Sequence, residues 1–117
     1  MRWWRSAASW SWSRQGGDKV TGKVMVVGVL KFQVSIFEAR SLKDKRRVIK
    51  SLKDRIGNKY NVSIAEVGYN DVIRTSILAV ATVANEKRFV ESSLSVIVDF
   101  VRQIPQLTLV DYSMETF

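Results

Sequence analysis

The chain has 117 residues, which is enough for one domain with its own hydrophobic core, and 46% of them are hydrophobic and 26% charged, as in an ordinary globular protein. It contains no cysteine and no histidine, which excludes disulfides, thiolate metal sites and the nucleophile pairs Ser-His and Cys-His. We therefore predict that the protein is not an enzyme and has no cofactor or metal, while its formal net charge of +8 favours an acidic partner.

Residues 1–24 hold all four tryptophans, interrupted by serine and arginine, and carry a net charge of +4. They lack the apolar run of a signal peptide, and nowhere does the chain reach the ~18 consecutive apolar residues of a membrane span. We therefore expect an extension outside the fold, a single domain over residues 25–117 and no membrane partner. A Trp/Arg arm that stacks on bases or lies at a membrane surface is the alternative.

A first strand is predicted over residues 24–35, where β-branched and aromatic side chains dominate. Alternation gives it two apolar faces near its start, which is typical of a central strand. One face carries Val26, Gly28, Leu30, Phe32 and Val34, and the other carries Met25, Val27 and Val29.

A helix is predicted next, from an approximate capping box of Ser41 and Asp44 to an end at Gly57 or Asn58. Its apolar stripe at 100° per residue holds Leu42, Val48, Ile49, Leu52 and Ile56. Opposite lies what we call the basic face: Lys43, Arg46, Arg47, Lys50 and Lys53. Lys45 projects towards the apolar side, and we expect it to snorkel along the core edge to reach solvent.

The positive charge of the domain is concentrated in this helix. Residues 40–59 hold nine Lys or Arg against two Asp, a net charge of +7, whereas the rest of residues 25–117 is about −3. Such asymmetry favours an acidic partner more strongly than a uniform excess would.

The rest of the chain supplies three strands and a second helix. The second strand is predicted over residues 60–67, with Val62, Ile64 and Glu66 alternating against Ser63, Ala65 and Val67. A hairpin turn at residues 68–71 leads to a third strand over 73–84. Asn85 is predicted to cap a helix that includes Phe89 in its apolar stripe and runs to about Ile104. A short strand follows over 107–112, after which the tail is expected to fray.

The order β-α-β-β-α-β predicts an α+β ferredoxin-like sandwich, a four-stranded antiparallel sheet with two helices on one face. The other face stays uncovered, although the central strands carry apolar residues there. An open apolar patch usually marks an interface, so we expect a homodimer through this open sheet face. Its predicted contacts are Val27, Val29, Ile77, Ala79 and Ala81.

The basic helix is the feature from which function is inferred. The N-terminal turns of a helix favour anions, yet four cations crowd that end here, offset only by Asp44: Lys43, Lys45, Arg46 and Arg47. A polyanion such as RNA would make that arrangement favourable. We therefore expect Lys43, Lys45, Arg46, Arg47, Lys50 and Lys53 to bind phosphates, without reading bases, since the third strand has no stacking aromatics.

Three alternatives stay open. In the first, the protein is structural, dimerises through its sheet and has a basic face that is only a solvated surface. In the second, it is an enzyme that holds an acidic metabolite at the helix mouth around Lys45. Glu66 and Asp71, which flank the hairpin turn, would form a carboxylate pair, although such residues are more often solvated.

Three segments of the chain resemble the YlxP-like family of small bacterial proteins of unknown function. They are Ser-Leu-Lys-Asp-Lys-Arg-Arg at 41–47, Ser-Leu-Lys-Asp-Arg at 51–55 and Asn-Val-Ser-Ile-Ala-Glu-Val at 61–67, and the likeness covers residues 25–117. The resemblance implies a ferredoxin-like fold and a cytoplasmic role around RNA, the ribosome or translation initiation, with no established activity. One departure is that many members carry an aromatic residue just after the hairpin, where this chain has Val72 and Ile73.

Overall fold

Six helices and strands follow one another in the order β-α-β-β-α-β, in a computed structural model that describes residues 25–117. They are β1 (Val26–Ser35), α1 (Leu42–Lys59), β2 (Ser63–Gly68), β3 (Thr75–Ala84), α2 (Lys87–Arg102) and β4 (Thr108–Thr116). The prediction made for residues 1–24 lies outside the described residues.

The four strands form one antiparallel sheet in the order β2-β3-β1-β4, which makes β1 and β3 the central strands. This arrangement confirms the predicted ferredoxin-like sandwich. The side chains of β1 alternate between two environments because successive residues of a strand point to opposite faces. Those that face the core are Val26, Gly28, Leu30, Phe32 and Val34.

Both helices pack their apolar stripes against the core face of the sheet, which leaves the other face uncovered by the described residues. α1 buries Ile49, Leu52 and Ile56 among its apolar residues. α2 buries Val90, Leu94, Ile97, Val98 and Val101.

The end of α1 differs from the prediction. The helix continues through Gly57 and Asn58 to Lys59, because the N–H of Tyr60 still donates to the carbonyl of Ile56 over 2.9 Å. Tyr60 then turns into an extended conformation and packs against the core. Glycine therefore does not end this helix.

The predicted start and stripe of α2 are also corrected. Its N-cap is Glu86 rather than Asn85, and no side-chain hydrogen bond caps it. Phe89 is 56% exposed, whereas Val98 is buried. The buried stripe is centred on Leu94 and Ile97, and one step of 100° from Val90 moves Phe89 to its edge.

The strand β4 is longer than predicted, and the tail does not fray after Tyr112. Pairing with β1 continues as far as Gly28 opposite Thr116. Phe117 and Val27 then exchange two backbone hydrogen bonds of 2.7 and 3.1 Å. A strand's length depends on its neighbour in the sheet, which the local sequence does not show.

α2 approaches β1 closely at Gly28. A Cβ atom placed on Gly28 would lie 2.0 Å from Cγ1 of Val90 and 3.1 Å from Cδ1 of Leu94. Both neighbours are buried, and the β-branched Val90 has few alternative rotamers. The glycine therefore sets the distance between the helix and the sheet.

We predict that Gly28→Ala lowers the free energy of unfolding by about 1–3 kcal/mol, because the added methyl group overpacks the core. Urea denaturation of the purified protein measures the change. Gly57→Ala is the matched control, since Gly57 lies within α1 with open space around it and the change should raise stability by up to ~1 kcal/mol. Equal stabilities of the two variants would contradict the prediction.

Candidate anion-binding surface

Ser41 caps the N-terminus of α1. The hydroxyl of Ser41 accepts a hydrogen bond from the N–H of Asp44 at 3.1 Å. The carboxylate of Asp44 in turn accepts from the N–H of Arg40 at 3.1 Å. The Ser41 half of the predicted capping box is confirmed, whereas the carboxylate of Asp44 binds the N–H of Arg40 rather than that of Ser41.

The basic face is exposed over most of its length. Lys43, Arg46, Arg47 and Lys50 are exposed and Lys53 is half-buried. The Arg46 guanidinium lies 4.0 Å from the Asp71 carboxylate, and the Lys50 ammonium lies 3.0 Å from that of Asp54. These surface pairs are weak, about 0–1 kcal/mol each. No carboxylate in the described range 25–117 lies within 4.0 Å of Lys43 or Arg47.

Lys45 does not belong to this surface, and the prediction that it snorkels to solvent is wrong. Its side chain is 1% exposed, and its ammonium lies 3.0 Å from the carboxylate of Glu66 on β2. It also donates to the backbone carbonyls of Tyr69 and Asn70, the second over 3.3 Å. An ammonium has three protons to donate, and these three oxygens satisfy them. In this structure Lys45 is therefore not open to an external anion.

Glu66 shares its carboxylate between two buried partners. Its Oε2 atom, which faces Lys45, also accepts a hydrogen bond of 2.6 Å from the hydroxyl of Ser76 on β3. Ser76 is fully buried and Glu66 is 15% exposed. Asp71, the other half of the predicted carboxylate pair, lies at the surface beside Arg46, whereas Glu66 faces Lys45 and Ser76.

The sequence reasoning missed this ion pair although both halves carried a signal. Lys45 lay on the apolar side of the predicted helix, and Glu66 lay on the same strand face as Val62 and Ile64. Two opposite charges on two apolar faces indicate a buried pair, because a lone buried charge is too costly to keep.

The loop between β2 and β3 is held against the start of α1. Tyr69 has a φ of 56°, in the left-handed region, and its carbonyl accepts hydrogen bonds from Lys45 and from the N–H of Val72. At the far end of the loop, Arg74 donates to the carbonyl of Ala39 over 3.0 Å. The connections before α1 and after β2 thus form one continuous surface.

The cations at the other end of α1 lie against aromatic rings. The Arg55 guanidinium is 5.3 Å from the centre of the Phe100 ring, and the Lys59 ammonium is 4.9 Å from the same point. Tyr60 meets Phe100 edge to face, with 5.9 Å between ring centres. Cations above ring faces are stabilised where they are, which distinguishes them from the basic face.

The five residues predicted for the dimer contact share the open sheet face. Val27, Val29, Ile77 and Ala79 are half-buried, and Ala81 is exposed. Val83 and Phe117, which pair with Val27 from either side, are 58% and 56% exposed. Lys31 lies at the centre of this face, and Asp111 and Glu115 lie along its β4 side.

No described group of three or more acidic, histidine or cysteine side chains is placed to hold a metal ion. Neither α1 nor α2 is both long and apolar enough to cross a membrane.

Comparison with known proteins gives two matches. A family model described as "Protein of unknown function (DUF503)" matches residues 27–114. The "Uncharacterized protein YlxP" of Bacillus subtilis (strain 168) is 33% identical over 82 residues, which cover 70% of this chain and 89% of that protein. The family match includes the buried ion pair, the loop after β2 and the whole basic face.

We predict that Lys45→Met lowers the free energy of unfolding by about 3–5 kcal/mol, because it leaves the carboxylate of Glu66 buried without a counter-charge. Adding Glu66→Gln to this variant should recover part of the loss, since no uncompensated charge then remains. Urea denaturation of the four proteins of the cycle measures the coupling between the two side chains.

Lys50→Met is the matched control, because it breaks an ion pair of the same length at the surface of the same helix. Its cost should stay within about 0.5 kcal/mol. If Lys45→Met costs no more than Lys50→Met, the buried pair does not have the structural role assigned to it.

Proposed function

We propose a function for this chain, which belongs to the family described as "Protein of unknown function (DUF503)". It is a non-catalytic module that binds RNA, free or within a ribosomal particle, through the basic face of α1. The relative from Bacillus subtilis is described only as "Uncharacterized protein YlxP", so the proposal is supported by the chemistry of this surface rather than by the activity of a relative.

The observation that carries the proposal is a stripe of four exposed cations on α1. They recur at the spacing of one helix face and cover two turns, about 10 Å: Lys43, Arg46, Arg47 and Lys50. The opposite side of the helix is fixed in the core, so these four side chains point outwards together. A row of cations about 10 Å long fits a row of phosphates better than it fits a single small anion.

The surface favours contacts with the nucleic-acid backbone. Lys and Arg side chains bind phosphates without carrying sequence information. Lys53, half-buried at the edge of the stripe, extends the same row towards the C-terminal end of α1. Lys45 is left out of the proposed contacts because its ammonium is occupied by Glu66 and two carbonyls.

We predict that the full chain binds structured RNA with an affinity that falls steeply as salt is added, because bound phosphates release counterions. Arg46→Glu with Arg47→Glu should weaken binding about 10- to 100-fold at 0.1 M salt and flatten the dependence on salt, since two phosphate contacts are lost. Fluorescence anisotropy of a labelled RNA hairpin at several salt concentrations measures both quantities.

The charge-matched control is Lys87→Glu with Arg88→Glu, two exposed cations at the start of α2. It changes the net charge by the same amount, and acidic residues are favourable in the first turn of a helix, so the variant should fold. An equal loss of affinity in both variants would show that net charge alone, and not the position of the cations on α1, determines RNA binding. Affinity that is micromolar or weaker at low salt and unchanged by the α1 variant would refute the proposal.

A second candidate function, favoured by the open sheet face, is a structural protein that assembles with a second copy of itself. Val83, Val27 and Phe117 are neighbours across three adjacent strands, and two of them are more than half exposed. Lys31 on this face has Asp111 and Glu115 on the adjacent strand, so two copies related by a two-fold axis have complementary charges available. The basic face would then serve only as a solvated surface.

For this candidate we predict a dimer in solution that Val27→Lys with Val83→Lys converts to a monomer, because the charges would be buried in the contact. Light scattering coupled to size-exclusion chromatography measures the mass. Val96→Lys, on an exposed position of α2, is the control and should leave the mass unchanged. A wild-type chain that is monomeric at high concentration would exclude the sheet-to-sheet dimer.

A further inference from the structure

The loop between β2 and β3, which contacts the basic face at Arg46, carries an exposed aromatic residue. Tyr69 is 49% exposed, and Val72 and Ile73 in the same loop are 43% and 38% exposed. Large apolar side chains grouped at the surface usually mark a contact with another molecule. Here they belong to the loop whose Asp71 lies beside Arg46 of the basic face.

Two hydrogen bonds to its carbonyl hold the backbone of Tyr69 in place. A bulky residue seldom adopts a left-handed backbone, and it does so only where its surroundings hold it there. Here the buried ammonium of Lys45 and the N–H of Val72 both bind the Tyr69 carbonyl. The side chain of Tyr69, which is 49% exposed, is therefore carried on a fixed backbone.

The same loop contacts the basic face directly. Asp71, two residues after Tyr69, lies 4.0 Å from the guanidinium of Arg46. Lys45, the residue before Arg46 in α1, contacts the backbone of Tyr69. The loop that carries the ring is thus joined to α1 at two consecutive residues, Lys45 and Arg46.

We propose that Tyr69 is a stacking platform for an unpaired nucleotide of RNA whose neighbouring phosphates bind Arg46 and Arg47. This inference rests on the proposed function and adds a class of RNA to it: RNA with a bulge, a loop or a single-stranded end. Only an unpaired base offers its face to an aromatic ring. Stacking does not depend on base identity, which agrees with a surface that reads no sequence.

The test compares two labelled RNAs that differ by one unpaired nucleotide in the middle of the same duplex. The wild-type chain should bind the bulged RNA about 5- to 100-fold more tightly than the duplex. Tyr69→Ala should abolish this preference while leaving duplex binding and its salt dependence unchanged, and Tyr69→Phe should retain it. A 4-thiouridine at the bulge should cross-link to Tyr69 on irradiation.

Phe89→Ala is the matched control, because Phe89 is an exposed aromatic residue on α2 and should have no effect. Duplex and bulged RNA bound equally by the wild type, with both weakened by Arg46→Glu and Arg47→Glu, would overturn this inference and leave the proposed function standing. No RNA binding would overturn both. Binding of anionic vesicles or acidic peptides that depends on Tyr69, without a preference between the RNAs, would also overturn it.

Discussion

The ion pair between Lys45 and Glu66 is the contact on which the arrangement of the surface depends. It joins α1 to β2, and through the carbonyl of Tyr69 it joins both to the loop before β3. Two charges are removed from water here, and their attraction offsets that cost only when their remaining hydrogen bonds are made. The hydroxyl of Ser76 and the loop carbonyls make them. The helix, the strand and the loop therefore cannot shift independently.

This contact also decides which cations the domain can offer to a partner. With Lys45 directed inwards, Arg46 and Arg47 follow at 100° and 200° around the helix and are exposed. The buried pair contributes no net charge, so the field at the surface comes from the outer cations alone. The pair also places Asp71 next to Arg46, which lowers the positive potential at one point of the basic face. The stability of the core and the electrostatics of the surface thus have a common origin.

The fold could be predicted because its strongest determinants are local. The alternation of apolar and polar residues in β1 and the apolar stripe of α1 each identify a buried face from the local sequence alone, without knowledge of the element that packs against it. Two of the errors fall where a distant segment decides. The length of β4 depends on its pairing with β1 as far as Thr116, and the orientation of Lys45 depends on a carboxylate 21 positions along the chain. Helical periodicity placed Lys45 on the apolar side, but only the structure shows the counter-charge that keeps it there.

The segments that carry the family likeness can now be divided between structure and surface. Lys45 and Glu66 belong to two of those segments, and they meet in the core. Their presence is explained by packing and is not an argument for a ligand. Arg46 and Arg47 stand in the same segment as Lys45 but contribute nothing to the core, and cations in the first turns of a helix are unfavourable without an anion. The case for a polyanionic partner therefore depends on these exposed members, not on the likeness of the segment as a whole.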